Sequence, residues 1–266
     1  MLGFIKNAVR NYMWFNVPYD KEVKIRYFLS SLKLGNLRKK INELRSRPEP
    51  ATKTREPDKK LRVVFLCQVP QIWNSVKSVY LAAKSDNDIE TYILALPEKI
   101  MHENYDVNHE EYGENEAYKM CCEFDKETIN AYDYSSGKWF DLEKFEPDYV
   151  FLPRPYDIHL PPCYRSYELR KYTKICFVDY GYSVTTWALK MTYNVDFVTN
   201  CSYIFAESES SASILNNMFN FLRISGVNVK FLGFPRFDLF SNITYGGGGQ
   251  TFTRPSFGFL AGQLIR

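Results

Sequence analysis

The chain has 266 residues, 45% hydrophobic and 17% aromatic, with a formal net charge of +3. That much apolar surface excludes a disordered chain and suffices for one large or two small domains. The near-neutral total hides an asymmetry: residues 1–60 carry about nine excess positive charges and the remainder is mildly acidic.

The first region runs from Met1 to about Lys60. Lys6 and Arg10 interrupt the apolar residues between Met1 and Asn16, so this is no secretory leader. Lys21 to Arg47 is predicted as a basic helix, broken or kinked at Gly35, and Pro48, Pro50 and Pro57 mark a linker. No stretch approaches the ~18 apolar residues of a membrane span.

The second region runs from Leu61 to about Asp238. Strands are predicted at Arg62–Gln68, Ile89–Leu96, Thr128–Tyr132, Asp148–Leu152, Lys174–Val178, Tyr203–Ala206 and Val227–Leu232. They are continuous apolar runs, as expected of strands covered on both faces. Helices are predicted between them at Trp73–Lys84, Asn115–Glu123, Tyr164–Lys171 and Ser210–Arg223. This alternation predicts an α/β fold, a Rossmann-like parallel sheet with helices on both faces, preceded by the basic helical segment. The third region, Leu239 to Arg266, is a Gly-rich irregular tail containing Gly246–Gly249. The six cysteines form no CxxC pair, and Cys67 and Cys176 sit in strand-like runs. Reduced buried thiols and a reducing, cytoplasmic compartment are expected.

In an open parallel sheet, ligands bind beyond the carboxyl ends of the strands. After Asp148–Leu152 comes Pro153-Arg154-Pro155-Tyr156-Asp157-Ile158-His159. Arg154 suits a phosphate or carboxylate, and Asp157 and His159 suit acid–base work; alternatively Arg154 and Asp157 pair with each other in a rigid loop. After Lys174–Val178 comes Asp179-Tyr180-Gly181, where Gly181 suggests a close backbone approach and Asp179 is a candidate base or a turn cap. After Tyr203–Ala206, Glu207 and Ser208 open the next helix, with Ser208 a candidate cap. After Val227–Leu232, Arg236 is a candidate anion contact, or a partner of Asp238. Walker, GxGxxG and GxSxG sequences are absent, and His102, His109 and His159 make no zinc spacing with cysteine. No cofactor or metal is implied, and nucleic-acid binding is not supported, since the basic excess is confined to the N-terminal segment.

Four stretches resemble the CDP-glycerol glycerophosphotransferases, which extend teichoic-acid-like polymers: Arg62–Tyr80, Phe145–Tyr182, Ile204–Glu209 and Phe231–Asp238. The resemblance covers about residues 60–238. It implies the N-terminal, acceptor-side half of a GT-B architecture, whose donor nucleotide is held mostly by the other half. Glycerol phosphate would pass from CDP-glycerol to a hydroxyl of a polymer acceptor, with release of CMP. Family polymerases carry a Trp-His-Gly type motif that falls here on Asp179-Tyr180-Gly181. Tyr180 thus stands at the histidine position. Neutral tyrosine, with a reference pKa of ~10, is a poor base, which leaves Asp179 or His159 for proton removal. The resemblance implies substrate contacts from Arg154, Tyr156, Asp157, Gly181, Glu207, Ser208 and Arg236. It stops after Asp238, so a donor half is expected to be missing through a frameshift or truncation. It also places the protein at the inner membrane face, where the basic N-terminus would meet anionic lipid. Two other readings fit the same residues: half of a GT-B nucleotide-sugar glycosyltransferase, and a non-catalytic binding module.

Overall fold

A computed structural model of the chain describes residues 16–33, 39, 42–43, 45–46, 59–101, 110–182, 189–190 and 192–240. Gly35, Pro48, Pro50, Pro57, His102, His109 and Gly246–Gly249 lie outside these residues. Nine strands follow in chain order: β1 (Leu61–Cys67), β2 (Ile89–Ala95), β3 (Ile129–Asn130), β4 (Tyr132–Asp133), β5 (Lys138–Trp139), β6 (Tyr149–Leu152), β7 (Lys174–Val178), β8 (Tyr203–Ala206) and β9 (Asn228–Phe231). Seven of them form one sheet in the order β3-β2-β1-β6-β7-β8-β9, and β4 pairs with β5 apart from it. Every neighbouring pair in the large sheet is parallel. The sheet is entered at β1, an interior strand; the chain winds outward through β2 to β3, then returns to lay β6 on the other side of β1. This is the doubly wound, Rossmann-like α/β arrangement, with its topological switch point between β1 and β6.

Side chains alternate across a strand, so a continuous apolar run feeds two cores at once. Val64 and Leu66 enter one cluster with Leu94, Val150, Leu152 and Phe177. Val63, Phe65 and Cys67 enter the other with Ile93, Phe151 and Cys176. On that second face Phe65 stacks on Phe151 at 4.5 Å, and Phe151 faces Phe205 at 6.2 Å, both pairs tilted by 13°. β9 departs from the expected pattern. It is an edge strand with Phe231 48% exposed, so it is not covered on both faces.

The helices are α1 (Tyr19–Lys33), α2 (Lys77–Lys84), α3 (Glu116–Phe124), α4 (Leu142–Phe145), α5 (Ser166–Leu169), α6 (Val195–Val198) and α7 (Glu209–Leu222). Four starts are capped by short polar side chains. Asn115 accepts from Tyr118 N, Asp141 from Lys144 N, Asn194 from Asp196 N and Ser208 from Ser211 N, at 2.9–3.1 Å. The expected helix Trp73–Lys84 is a 3₁₀ turn over Pro70–Ser75 followed by α2, and Tyr164–Lys171 contracts to α5 behind a second 3₁₀ turn, Pro162–Tyr164. In both cases proline opens the tight turn, where its fixed φ and missing N–H cost nothing. The expected strand Thr128–Tyr132 shortens because Tyr132 leaves the sheet to pair with Trp139.

α1 is not a free extension. Tyr19 and Val23 are buried in the same cluster as Phe197, Leu215, Phe219 and Leu222. Glu22 beside them forms ion pairs with Lys190 at 2.5 Å and Arg26 at 2.6 Å. All six cysteines are free thiols.

Candidate functional site

The carboxyl ends of β1, β6, β7, β8 and β9 form one rim. Gln68 follows β1 and is buried. Its amide nitrogen donates to the carbonyls of His159 at 2.7 Å and Pro97 at 3.2 Å. Its oxygen faces Arg154 Nη1 at 3.4 Å. Gln68 thereby ties the loops after β1, β2 and β6 together at the switch point. Arg154 stands between Pro153 and Pro155, whose fixed φ angles limit its backbone. Among the described residues its other partner is Glu98, at 3.8 Å. The alternative pairing with Asp157 is not formed.

Asp157 has a different task. Its two oxygens accept from Ser166 N and Ser166 Oγ, both at 2.6 Å, and Asn200 Nδ2 donates to the same Ser166 hydroxyl at 2.8 Å. The carboxylate folds the Pro-rich loop back onto the start of α5. Burial raises its pKa, against the pull of the Ser166 bonds.

His159 lies against Tyr156, ring centroids 5.9 Å apart and nearly perpendicular. Burial first, and then the charges of Arg154 and Lys99, lower its pKa to about 4. The imidazole is therefore neutral at physiological pH. Tyr156 and Tyr180 bring their hydroxyls within 3.3 Å. Burial, then the bond to Tyr180, raises the Tyr156 pKa, so that hydroxyl keeps its proton.

Asp179 directly follows β7 and is 3% exposed. Its Oδ1 accepts from Gly181 N at 3.1 Å, an Asx-type turn. The expected close approach at Gly181 does not come from the described residues: among them a Cβ built there meets nothing within 4 Å, and Gly181 is not among the positive-φ glycines. Glu207 directly follows β8, is also buried, and accepts from Tyr193 Oη and from Ser211 Oγ, the latter at 2.8 Å. Its carboxylate braces the start of α7, where Ser208 is the cap. Arg236 is exposed in the 3₁₀ turn Pro235–Phe240. Beside it Tyr182 packs on Phe234 and Phe237 at 6.0 and 6.1 Å.

The rim thus brings together Arg154, Tyr156, His159 and Tyr180. Asp179 follows directly on the end of β7. Asp157, Glu207 and Ser208 are engaged in holding loops and helix starts. Three further residues belong to this end of the sheet: Gln68, Glu98 and Lys99. Lys99 is fully buried and pairs with Glu110 at 3.0 Å, which also takes Arg165 at 2.8 Å. A glutamine closing an apolar strand was the available signal for Gln68. Lys99 had none, because its partners are set by tertiary packing.

No family model matches this sequence, and none of the curated proteins does. Among solved structures the chain is similar to a UDP-N-acetylglucosamine 2-epimerase, with 12% identity and a TM-score of 0.41. The match covers 72% of this chain and 51% of that one, so the chain spans about half the length of that structure. The fold rests on the strand order itself. Among the described residues no group of His, Cys, Asp and Glu is arranged to hold a metal, and no helix is long and apolar enough to cross a membrane. Chemically, the rim offers a cation, a neutral imidazole, two paired phenols and a carboxylate fixed by the backbone. That set suits binding an anionic group and handling the proton of a hydroxyl.

Proposed function

We propose that this chain is the acceptor-side part of a glycerophosphotransferase, which moves glycerol phosphate from CDP-glycerol to a hydroxyl of a cell-surface polymer and releases CMP. One observation carries the reading. Each of the four stretches that resemble the family contains a strand, or the end of one, and the loop at its carboxyl end. Their strands, β1, β6, β7, β8 and β9, are consecutive neighbours in the sheet. The resemblance therefore gathers on one rim instead of scattering over packing positions.

In this reading Asp179 takes the proton of the acceptor hydroxyl, a contribution of ~10²–10⁴-fold for a well-placed base. The Gly181 N–H orients its carboxylate. Tyr180, at the family's histidine position, holds the hydroxyl by hydrogen bonding. The donor nucleotide binds a second half, and the outward face of α1 meets the inner membrane surface. The test is a donor screen with membranes containing acceptor, comparing CDP-glycerol, CDP-ribitol and UDP-sugars. CMP release from CDP-glycerol, lost in Asp179→Asn, is expected. Turnover of a UDP-sugar instead would make the chain part of a glycosyltransferase, and binding without turnover of any donor would make it a binding module.

A further inference from the structure

Most charged groups of the rim have close partners. Glu110 is shared by Lys99 and Arg165, Asp157 holds Ser166, and Glu207 holds Tyr193 and Ser211. Arg154 differs. Its fork carries five N–H donors. Among the described residues it meets only Gln68 at 3.4 Å and Glu98 at 3.8 Å. Both contacts are longer than the ~2.7–2.9 Å of a charge-assisted hydrogen bond. Glu98 is itself 60% exposed, so water screens its attraction. The Arg154 side chain is only 20% exposed, and burial lowers its pKa. A largely buried cation with long contacts has its charge balanced only in part.

The neighbours of Arg154 favour a tetrahedral oxyanion over a flat carboxylate. Tyr156 stands two residues from Arg154 on the same loop, and its hydroxyl meets that of Tyr180. Of two hydroxyls at 3.3 Å, one donates to the other, and the second keeps its hydrogen for a third partner. The guanidinium supplies two parallel donors in one plane, and the phenol supplies another from outside it. Three donors of this kind match three phosphoryl oxygens, whereas a carboxylate has two. Next to Tyr180 the described residues leave open space at Gly181.

We infer that the β1–β6 switch point is a binding site for a phosphoryl group, held by Arg154 and by the paired hydroxyls of Tyr156 and Tyr180. Its place in polymer extension, as the seat of a phosphate on the acceptor, rests on the transferase reading. The anion chemistry itself does not.

The experiment is calorimetric titration of the full chain with inorganic phosphate, glycerol 3-phosphate and acetate, at fixed ionic strength. Phosphate and glycerol 3-phosphate are expected to bind, acetate at least about tenfold more weakly, since it fills one donor fewer. Arg154→Ala is expected to weaken phosphate binding about tenfold or more. Arg154→Lys, which keeps the charge and loses the fork, falls between. The double variant Tyr156→Phe/Tyr180→Phe is expected to lose several-fold in affinity without losing the fold. Equal affinity in wild type and Arg154→Lys, or acetate as tight as phosphate, overturns the site as described. Tighter binding of glycerol 3-phosphate than of phosphate points to a phosphate ester as occupant, and equal binding to the free ion; either supports the site. Phosphate binding without turnover of CDP-glycerol leaves the site standing and removes the transferase reading. Turnover without phosphate binding does the reverse.

Discussion

His159 is the residue at which burial and charge act in the same direction. Its desolvated ring and the nearby Arg154 and Lys99 all oppose protonation, giving a pKa of about 4 against a reference of 6.5. The unfolded chain therefore takes up the proton first as pH falls. The neutral ring's contribution to stability is complete above about pH 6.5, shrinks as pH falls towards 4, and changes no further below that. His159→Gln is expected to remove this part of the acid sensitivity. Urea midpoints of wild type and His159→Gln, compared at pH 7 and 4.5, check it: the variant should lose less on acidification. Identical losses in the two proteins would show that the imidazole is not held neutral. Asp157 has its pKa raised, the opposite direction for an acid, and being present in both proteins it cancels from the comparison. At this scale the sequence revealed residue types and missed their partners. Arg154, Tyr156, His159, Asp179 and Tyr180 were legible because they follow strands. The engagement of Asp157 with Ser166, and of Glu207 with Tyr193, was not, because each partner is supplied by packing across the loop.

Among the elements, α1 rests on a buried ion pair. Lys190 and Glu22 are 0% and 3% exposed in their side chains. Removing one partner leaves the other charge buried, at a cost of ~3–5 kcal/mol, while replacing both by apolar groups is often neutral. Lys190→Met leaves Glu22 buried with Arg26 as its remaining ion-pair partner among the described residues, so it is expected to destabilise the protein by ~2–3 kcal/mol, and Glu22→Met/Lys190→Met to recover most of that loss. A denaturant double-mutant cycle reads both values, and a single-variant loss under ~1 kcal/mol would contradict the burial of the pair. Long apolar strands such as β1 and β2 were legible because Val, Ile and Phe runs of that length have few other solutions in a parallel sheet. Short elements were not. The β4–β5 hairpin has two residues on each side, too few for any period, and α4 and α6 have four residues each. The extent of β9 was close to expectation, but its exposure was not, since an edge strand and a central one can share the same composition.

For the whole molecule, charge is segregated, and α1 carries part of the basic segment onto the body of the domain. Lys21 and Lys24 are exposed beside Ile25 and Phe28, which are 40% and 62% exposed. Such a face suits an anionic bilayer, where each Lys or Arg adds ~1 kcal/mol until salt screens it. Co-sedimentation with vesicles of phosphatidylcholine alone, and of phosphatidylcholine mixed with phosphatidylglycerol, is expected to show binding only to the anionic vesicles and release at high salt. Equal binding to both, or none to either, would end the membrane reading. The docking of α1 also bears on how the chain is made. Some ~170 residues separate Glu22 from Lys190, and at about 5–20 residues per second the ribosome needs roughly 8–34 seconds to deliver the second after the first. Through that interval α1 has, among the described residues, Arg26 as its one counter-charge for Glu22, and lacks Lys190 and the apolar groups of α6 and α7 that cover Tyr19 and Val23. Of the described helices the one made first is thus among the last to be secured, and a nascent chain must keep it from other partners until α7 has emerged.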